Sequence, residues 1–318
     1  MSLFNTFNPA GLDAPETAAD DPRVGRWLAA QQALDDGTRV ALVGFPSDEG
    51  VRRNGGRPGA AEGPRALRER LYALTPDAEA PERFEALLGH TVDLGDVPVT
   101  GDLERDQERL GEAVGALLTR GVVPVVLGGG HETAYGHFLG HVLAGRDVSI
   151  LNWDAHADVR PLRDGQAHSG SPFRQALEHG SGRCRGYTVA GLLPWRVAAA
   201  HRRFIEGHGG EAVPLGALTP ERIADLAAQA AGPAMATFDL DAVDAAQAPG
   251  VSAPGIGGMD AGRWLLAAEA CGRSPAFASF DVVELNPRVD VDGRTATLAA
   301  LTVWHLLRGL AARFAAAV

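Results

Sequence analysis

The sequence predicts an α/β fold with a mostly parallel sheet covered by helices on both faces. Three observations carry that prediction. Short apolar runs that read as buried strands alternate along the chain with stretches of helical period, as in parallel sheets. The runs are mostly apolar, as strands buried on both faces are. The chain has 318 residues, 45% of them hydrophobic, enough for one large α/β core.

Residues 1–37 are polar and hold Pro9, Pro15 and Pro22. They read as an arm with a short helix near Val24 to Leu34, packed on or flanking a single domain that spans residues 1–318. Arg39 to Gly44 is strand-like. Gly63 and Pro64 open a helix through Leu74, since proline suits a first turn. His90 to Leu94 is strand-like. Leu103, Leu110, Val114, Leu117 and Leu118 recur at helical spacing between Leu103 and Arg120. Val122 to Leu127, Val148 to Trp153 and Ala234 to Phe238 read as buried strands. Pro249 to Gly258 is a loop inside the domain, because regular structure resumes after it. Arg294 to Val318 reads as a long packed helix. No repeat, low-complexity tract or linker interrupts the series.

Composition excludes several classes of function. A net charge of -11 argues against nucleic-acid or anionic-membrane partners, which need a basic surface. No apolar run reaches the roughly 18 to 20 residues of a membrane span. Met1 to Thr6 shows no basic region before an apolar core, so no signal peptide is expected. Cys184 and Cys271 fit two free thiols in a reducing cytoplasm.

Three motifs each follow a strand. They are G-G-G-H-E with His131, D-A-H-A-D with Asp154, His156 and Asp158, and F-D-L-D with Asp239 and Asp241. In an open α/β sheet, ligands bind outside the carboxyl ends of the strands. Crowded carboxylates repel unless cations lie among them. Four carboxylates and two imidazoles are too many for one metal with open positions, so the set predicts two metals. Oxygen-rich sites favour Mn²⁺ over Zn²⁺, and no cysteine lies near the motifs. An extended stretch would send Asp154, His156 and Asp158 to one face. Gly128 to Gly130 lacks the Lys-Ser/Thr of a phosphate loop, so the glycines are expected to let the chain turn and present His131. Two divalent cations would acidify a bridging water to a hydroxide nucleophile near neutral pH, with no covalent intermediate.

These motifs resemble those of the ureohydrolase family, which includes arginases, agmatinases, guanidinobutyrases and formimidoylglutamases. The resemblance runs from about Val40 to Leu307 and includes the later S-F-D-V-V-E-L-N-P, Ser279 to Pro287. It implies a three-layer α/β/α fold around an eight-stranded parallel sheet, two Mn²⁺ per subunit and a homo-oligomer. It also implies that Asp154 and Asp239 bridge the metals, with His131 and Asp158 completing one site and His156 and Asp241 the other. Asp158 would also hydrogen-bond the hydroxide, and Glu284 would face the amidino group.

Gly44 to Arg57, Ser169 to Ala176 and Ala248 to Pro254 resemble the branch that hydrolyses N-formimidoyl-L-glutamate to L-glutamate and formamide in histidine degradation. That substrate is a dicarboxylate amidine, so its pocket needs arginine. Arg160, Arg52 and Arg53 are the expected contacts, with Ser169, and Arg57 lies on the same loop. His168 stands one residue early for the family's proton-shuttling histidine and is read as a bystander. Asp244 is followed by Ala245 where the family often has proline, which speaks against an arginase or agmatinase. The alternatives are urea release from a guanidino acid or amine, a one-zinc deacetylase of the same fold, and an inactive metal-binding scaffold.

Overall fold

The computed structural model describes residues 3–31 and 33–316. In chain order its main elements are α1 (Gly25–Leu28), β1 (Val40–Phe45), α2 (Glu49–Arg53), α3 (Gly63–Ala73), α4 (Pro81–Leu88), β2 (Thr91–Asp96), α5 (Leu103–Thr119), β3 (Val123–Gly128), α6 (Thr133–Leu143), β4 (Val148–Trp153), α7 (Pro172–Leu177), β5 (Cys184–Leu192), α8 (Ala199–Gly207), β6 (Glu211–Pro214), α9 (Pro220–Ala228), β7 (Ala234–Asp239), α10 (Ala261–Arg273), β8 (Phe277–Val283) and α11 (Arg294–Ala315). The strands form one eight-stranded sheet in the order β2-β1-β3-β8-β7-β4-β5-β6. Every pairing between these strands is parallel.

Side chains alternate across the sheet, so each strand feeds two cores. Val40 and Leu42 of β1, Leu151 and Trp153 of β4 and Phe238 of β7 pack on one face with Leu67 of α3, Trp264 of α10 and Leu306 of α11. Ala41, Val43 and Phe45 of β1 face the other way, against Leu110, Val114 and Leu117 of α5. On that second face Val148 and Ile150 of β4 meet Phe138 of α6, Phe173 of α7 and Ile205 of α8. The result is the expected three layers. Among the described residues no helix is long and apolar enough to cross a membrane. Cys184 and Cys271 are both free.

The strands and long helices fall where the sequence places them, with ends shifted by a residue or two. The last helix runs to Ala315, and residues 317–318 of the expected helix lie outside the described residues. The arm differs. Its helix is a single turn, Gly25–Leu28, with no side-chain cap at its start. Residue 32 of the expected helix lies outside the described residues. Before β1 the chain is held in a turn, where Gly37 N–H and Thr38 Oγ1 both donate to Asp35 Oδ1 at 3.0 and 2.7 Å. The start of the arm packs on the sheet edge. Asn8 exchanges backbone hydrogen bonds of 2.9 and 2.7 Å with Asp96, and Phe4 and Phe7 lie against the α5 side of the core.

β3 leads through α6 to β4, yet β8 and β7 lie between those two strands in the sheet. The carboxyl ends of four adjacent strands, β3, β8, β7 and β4, therefore flank the place where the winding changes direction. Ligand sites form at such a switch point.

Candidate metal centre

Each of these four strands delivers side chains to that edge. After β3 the glycines are needed for close approach: a Cβ on Gly129 would sit 1.9 Å from Ser47 O, and one on Gly130 would sit 2.1 Å from Glu132 Oε2. Neither has a positive φ, so the steric fit, and not a left-handed turn, requires glycine. The packed loop sets His131 just ahead of α6. After β4 the chain does not stay extended. Asp154 Oδ1 accepts the His156 N–H at 2.6 Å, and Asp158 has a φ of 43°. The convergence of Asp154, His156 and Asp158 thus comes from this turn and not from strand alternation. After β7, Asp239 Oδ1 accepts the Asp241 N–H at 2.9 Å. After β8, Glu284 has a φ of 70°, an uncommon backbone for a non-glycine. Its Oε1 accepts the His131 N–H at 2.8 Å, and its own N–H donates to Gly129 O at 2.7 Å.

The six predicted ligands meet in two groups that share Asp154. Ligand atoms of His131, Asp154, Asp158 and Asp239 lie within 4.8 Å of one another, and so do those of Asp154, His156 and Asp241. His131 Nδ1 is 2.9 Å from Asp239 Oδ2, 3.0 Å from Asp158 Oδ2 and 3.4 Å from Asp154 Oδ2. His156 Nδ1 is 3.1 Å from Asp241 Oδ2 and 3.5 Å from Asp154 Oδ1. Asp154 thus turns one oxygen to each group. Asp239, expected as a second bridge, belongs by these distances to the first group.

The electrostatics describe a cluster short of positive charge. Burial, then Asp241 and Asp154, push the Asp239 carboxyl well above its usual range. Burial likewise raises Asp241. Burial, then Asp239, Asp241 and Glu132, raise Glu284 well above its usual range. Burial alone would lower the two imidazoles, but the facing acids outweigh it, holding His131 well above its usual value and pushing His156 up to about 12. Cations among these groups would offset the repulsion, and to hold them the ligands must be deprotonated. Asp241 Oδ1 is buried without a hydrogen-bond partner, and His131 Nδ1, though close to three carboxylate oxygens, is aligned for a hydrogen bond with none of them. Orphaned buried ligand atoms are costly unless something binds them. The donor set of carboxylates and imidazoles fits Mn²⁺.

Four of the ligands, His156, Asp158, Asp239 and Asp241, line a cavity of about 200 Å³ together with Asn54, Arg160, Ser169, Ser252 and Glu284. Arg160 and Ser169 are therefore brought to the site, joined by Asn54. Its Oδ1 accepts from Arg160 Nη1 at 3.1 Å and its Nδ2 donates to Ser169 Oγ at 3.0 Å. Arg52 and Arg53 are not brought to the cavity. Arg52 is mostly exposed and paired with Glu49. Arg53 is held by Glu49 at 3.0 Å and Glu104 at 2.7 Å, and donates to Ala167 O. Both charges are spent in ion pairs within and beside α2. Arg57 donates to Val251 O and Ser252 O, fixing the loop that roofs the cavity. His168 is a turn brace: its Nε2 meets Pro161 O at 3.0 Å and its Nδ1 accepts the Gly170 N–H at 3.1 Å. Both ring nitrogens are engaged, and burial lowers its pKa.

Sequence reasoning missed three residues that act on the ligands. Asn152 donates to Asp154 Oδ2 at 2.9 Å. Thr237 Oγ1 lies 3.0 Å from His131 Nε2. Arg196 Nη1 lies 3.2 Å from His156 Nε2 and donates to Ala253 O at 2.9 Å. The signal for the first two was a polar residue inside an apolar strand, two positions before a ligand. Arg196 carries no such signal, because it lies far from every motif in sequence.

The arginase family's profile matches residues 38–308. A formimidoylglutamase of Chromobacterium violaceum is 37% identical over 306 residues, covering 92% of this chain and 96% of the relative. One from Rhodococcus jostii is 39% identical over 304 residues, covering 89% and 90%. The crystal structure of Trypanosoma cruzi formiminoglutamase with Mn²⁺ superposes with a TM-score of 0.85 at 31% identity, covering 92% of this chain and 100% of that one. The chain belongs to the arginase family.

Proposed function

We propose that this chain hydrolyses N-formimidoyl-L-glutamate to L-glutamate and formamide with two Mn²⁺. The observation that carries the proposal is the site itself: six convergent ligands, of which His156, Asp158, Asp239 and Asp241 line a cavity that Arg160 also lines. The names of the relatives support the choice of substrate, and the Mn²⁺ of the Trypanosoma cruzi structure supports the metal.

His131, Asp154, Asp158 and Asp239 would hold one cation, and Asp154, His156 and Asp241 the other. Bound there, the pair would supply an acidified water as nucleophile near neutral pH. The protein's own groups do the rest. Asp158 reaches the cavity on a left-handed backbone, placed to orient the water and take its proton. Glu284 Oε2 is buried without a partner, and it accepts the formamidine N–H. Arg160 pairs with a substrate carboxylate, aimed by Asn54. The water oxygen bonds to the formimidoyl carbon, the bond from that carbon to the glutamate nitrogen breaks, and the amine leaves with a proton.

The test is hydrolysis by Mn²⁺-loaded protein of formimidoylglutamate, arginine, agmatine and guanidinobutyrate. Glutamate and formamide are the expected products, with no urea from the guanidino compounds. Arg160→Ala should raise KM for formimidoylglutamate roughly 10- to 100-fold with kcat little changed, the scale of one charge-assisted hydrogen bond. Urea from a guanidino compound, with formimidoylglutamate untouched, would contradict the substrate and leave the metal site standing.

A further inference from the structure

Behind His131, on the side away from the cavity, runs a buried chain of polar groups that the reaction does not use. His131 Nε2 meets Thr237 Oγ1 at 3.0 Å, and that hydroxyl donates to Asp281 Oδ1 at 2.5 Å. Asp281 Oδ2 lies 2.6 Å from His137 Nδ1. Ser279 Oγ lies 2.6 Å from His137 Nε2 and 2.8 Å from His141 Nε2. Thr237, Asp281, His137, Ser279 and His141 are all fully buried. The fold sets this alignment. Thr237 and Asp281 are register partners across β7 and β8. Ser279 and Asp281 lie two apart on one face of β8, and His137 and His141 lie four apart on one face of α6.

Proton positions follow from the donors. Thr237 has one hydroxyl proton and gives it to Asp281, so its oxygen accepts from His131 Nε2–H. That leaves Nδ1, the atom that faces Asp154, Asp158 and Asp239, as the nitrogen that would bind a cation. One direction of donation serves all three contacts: His141 Nε2–H to Ser279, Ser279 O–H to His137 Nε2, and His137 Nδ1–H to Asp281, with His141 Nδ1 left as an unpaired acceptor. Burial holds the His141 pKa well below its usual value, in keeping with a single ring proton there.

We propose that Asp281 is a positioning residue of the metal centre, which fixes the tautomer and direction of His131 through the Thr237 hydroxyl and is itself held by the His137–Ser279–His141 chain. A metal-binding histidine is commonly oriented by a carboxylate on its other nitrogen. Here a hydroxyl stands between the two. The proposal rests on the metal reading of the site and not on the substrate.

The test measures Mn²⁺ binding alone, by equilibrium dialysis, in wild type, Thr237→Val, Thr237→Ser and Asp281→Asn, each checked for cooperative thermal unfolding. Thr237→Val keeps the shape and removes the hydroxyl, so one of the two Mn²⁺ should bind about 10- to 100-fold more weakly. Thr237→Ser should restore it, a rescue that a packing role would not give. Asp281→Asn should weaken the same Mn²⁺. If that variant does not fold, the Val and Ser pair decides. Thr237→Val that binds Mn²⁺ as wild type does would overturn the proposal and leave the metal centre intact. Wild type that binds no Mn²⁺ would overturn both.

Discussion

Asp154→Asn is expected to release both cations and lower turnover by roughly three orders of magnitude or more, the scale seen when a principal catalytic group is lost. Among the described residues, Asp154 is the one side chain shared by both ligand groups. Its Oδ2 faces His131 and its Oδ1 faces His156. Replacing one oxygen by an amide nitrogen puts N–H donors where a cation needs a lone pair and removes a negative charge. The volume stays the same, so the sheet should keep its packing. Turnover with saturating Mn²⁺ and bound Mn²⁺ per chain are the two readings. A variant that keeps both at wild-type levels would show that Asp154 is not shared between two metals.

Arg68→Ala is expected to cost about 3–5 kcal/mol of stability, the range for breaking a buried ion pair from one side. Arg68 projects from α3 and is 1% exposed, and Asp93 of β2 is fully buried. Arg68 Nε donates to Asp93 Oδ2 at 2.8 Å, Nη1 to Asp96 Oδ1 at 2.5 Å and Nη2 to Gly95 O at 3.0 Å. Burial opposes the guanidinium charge, but Asp93 and Asp96 outweigh it and hold the pKa above its usual value. Burial and the neighbouring Asp93 push the pKa of Tyr72 up, so it stays a phenol that donates to Asp93 at 3.1 Å. Without Arg68, the Asp93 carboxylate keeps that phenol and the Gly95 N–H as partners but loses its counter-charge. Urea unfolding of the metal-free protein measures the loss. A change below about 1 kcal/mol would place the pair among those that contribute little.

Much of the site was legible because its ligands sit beside the clearest signals in the chain. Val148 to Trp153 is a strand by composition alone, and Asp154 follows it directly. The same holds for Asp239 at the end of β7. What composition could not show was how the loops close. The turn at Asp154 and the left-handed Asp158 depend on local hydrogen bonds and on packing from other strands. Arg52 and Arg53 misled for a related reason. Their charge suits the substrate, but Glu49 on the same short helix and Glu104 of α5 take it up. Arg196 reaches His156 only after β5 and the chain beyond it fold beside β4, a contact between residues 40 apart in sequence. The arm's helix is shorter than expected, since its start has no side-chain cap and the Asp35 turn follows it.

The central claim is a centre for two cations, and counting them tests it most directly. Metal-free protein titrated with Mn²⁺, with bound and free ion separated by dialysis, should take up two Mn²⁺ per chain. Crystals of the loaded protein should show two anomalous peaks, one beside each ligand group. One peak, or none at saturating Mn²⁺, would contradict the account, whatever the protein turns over.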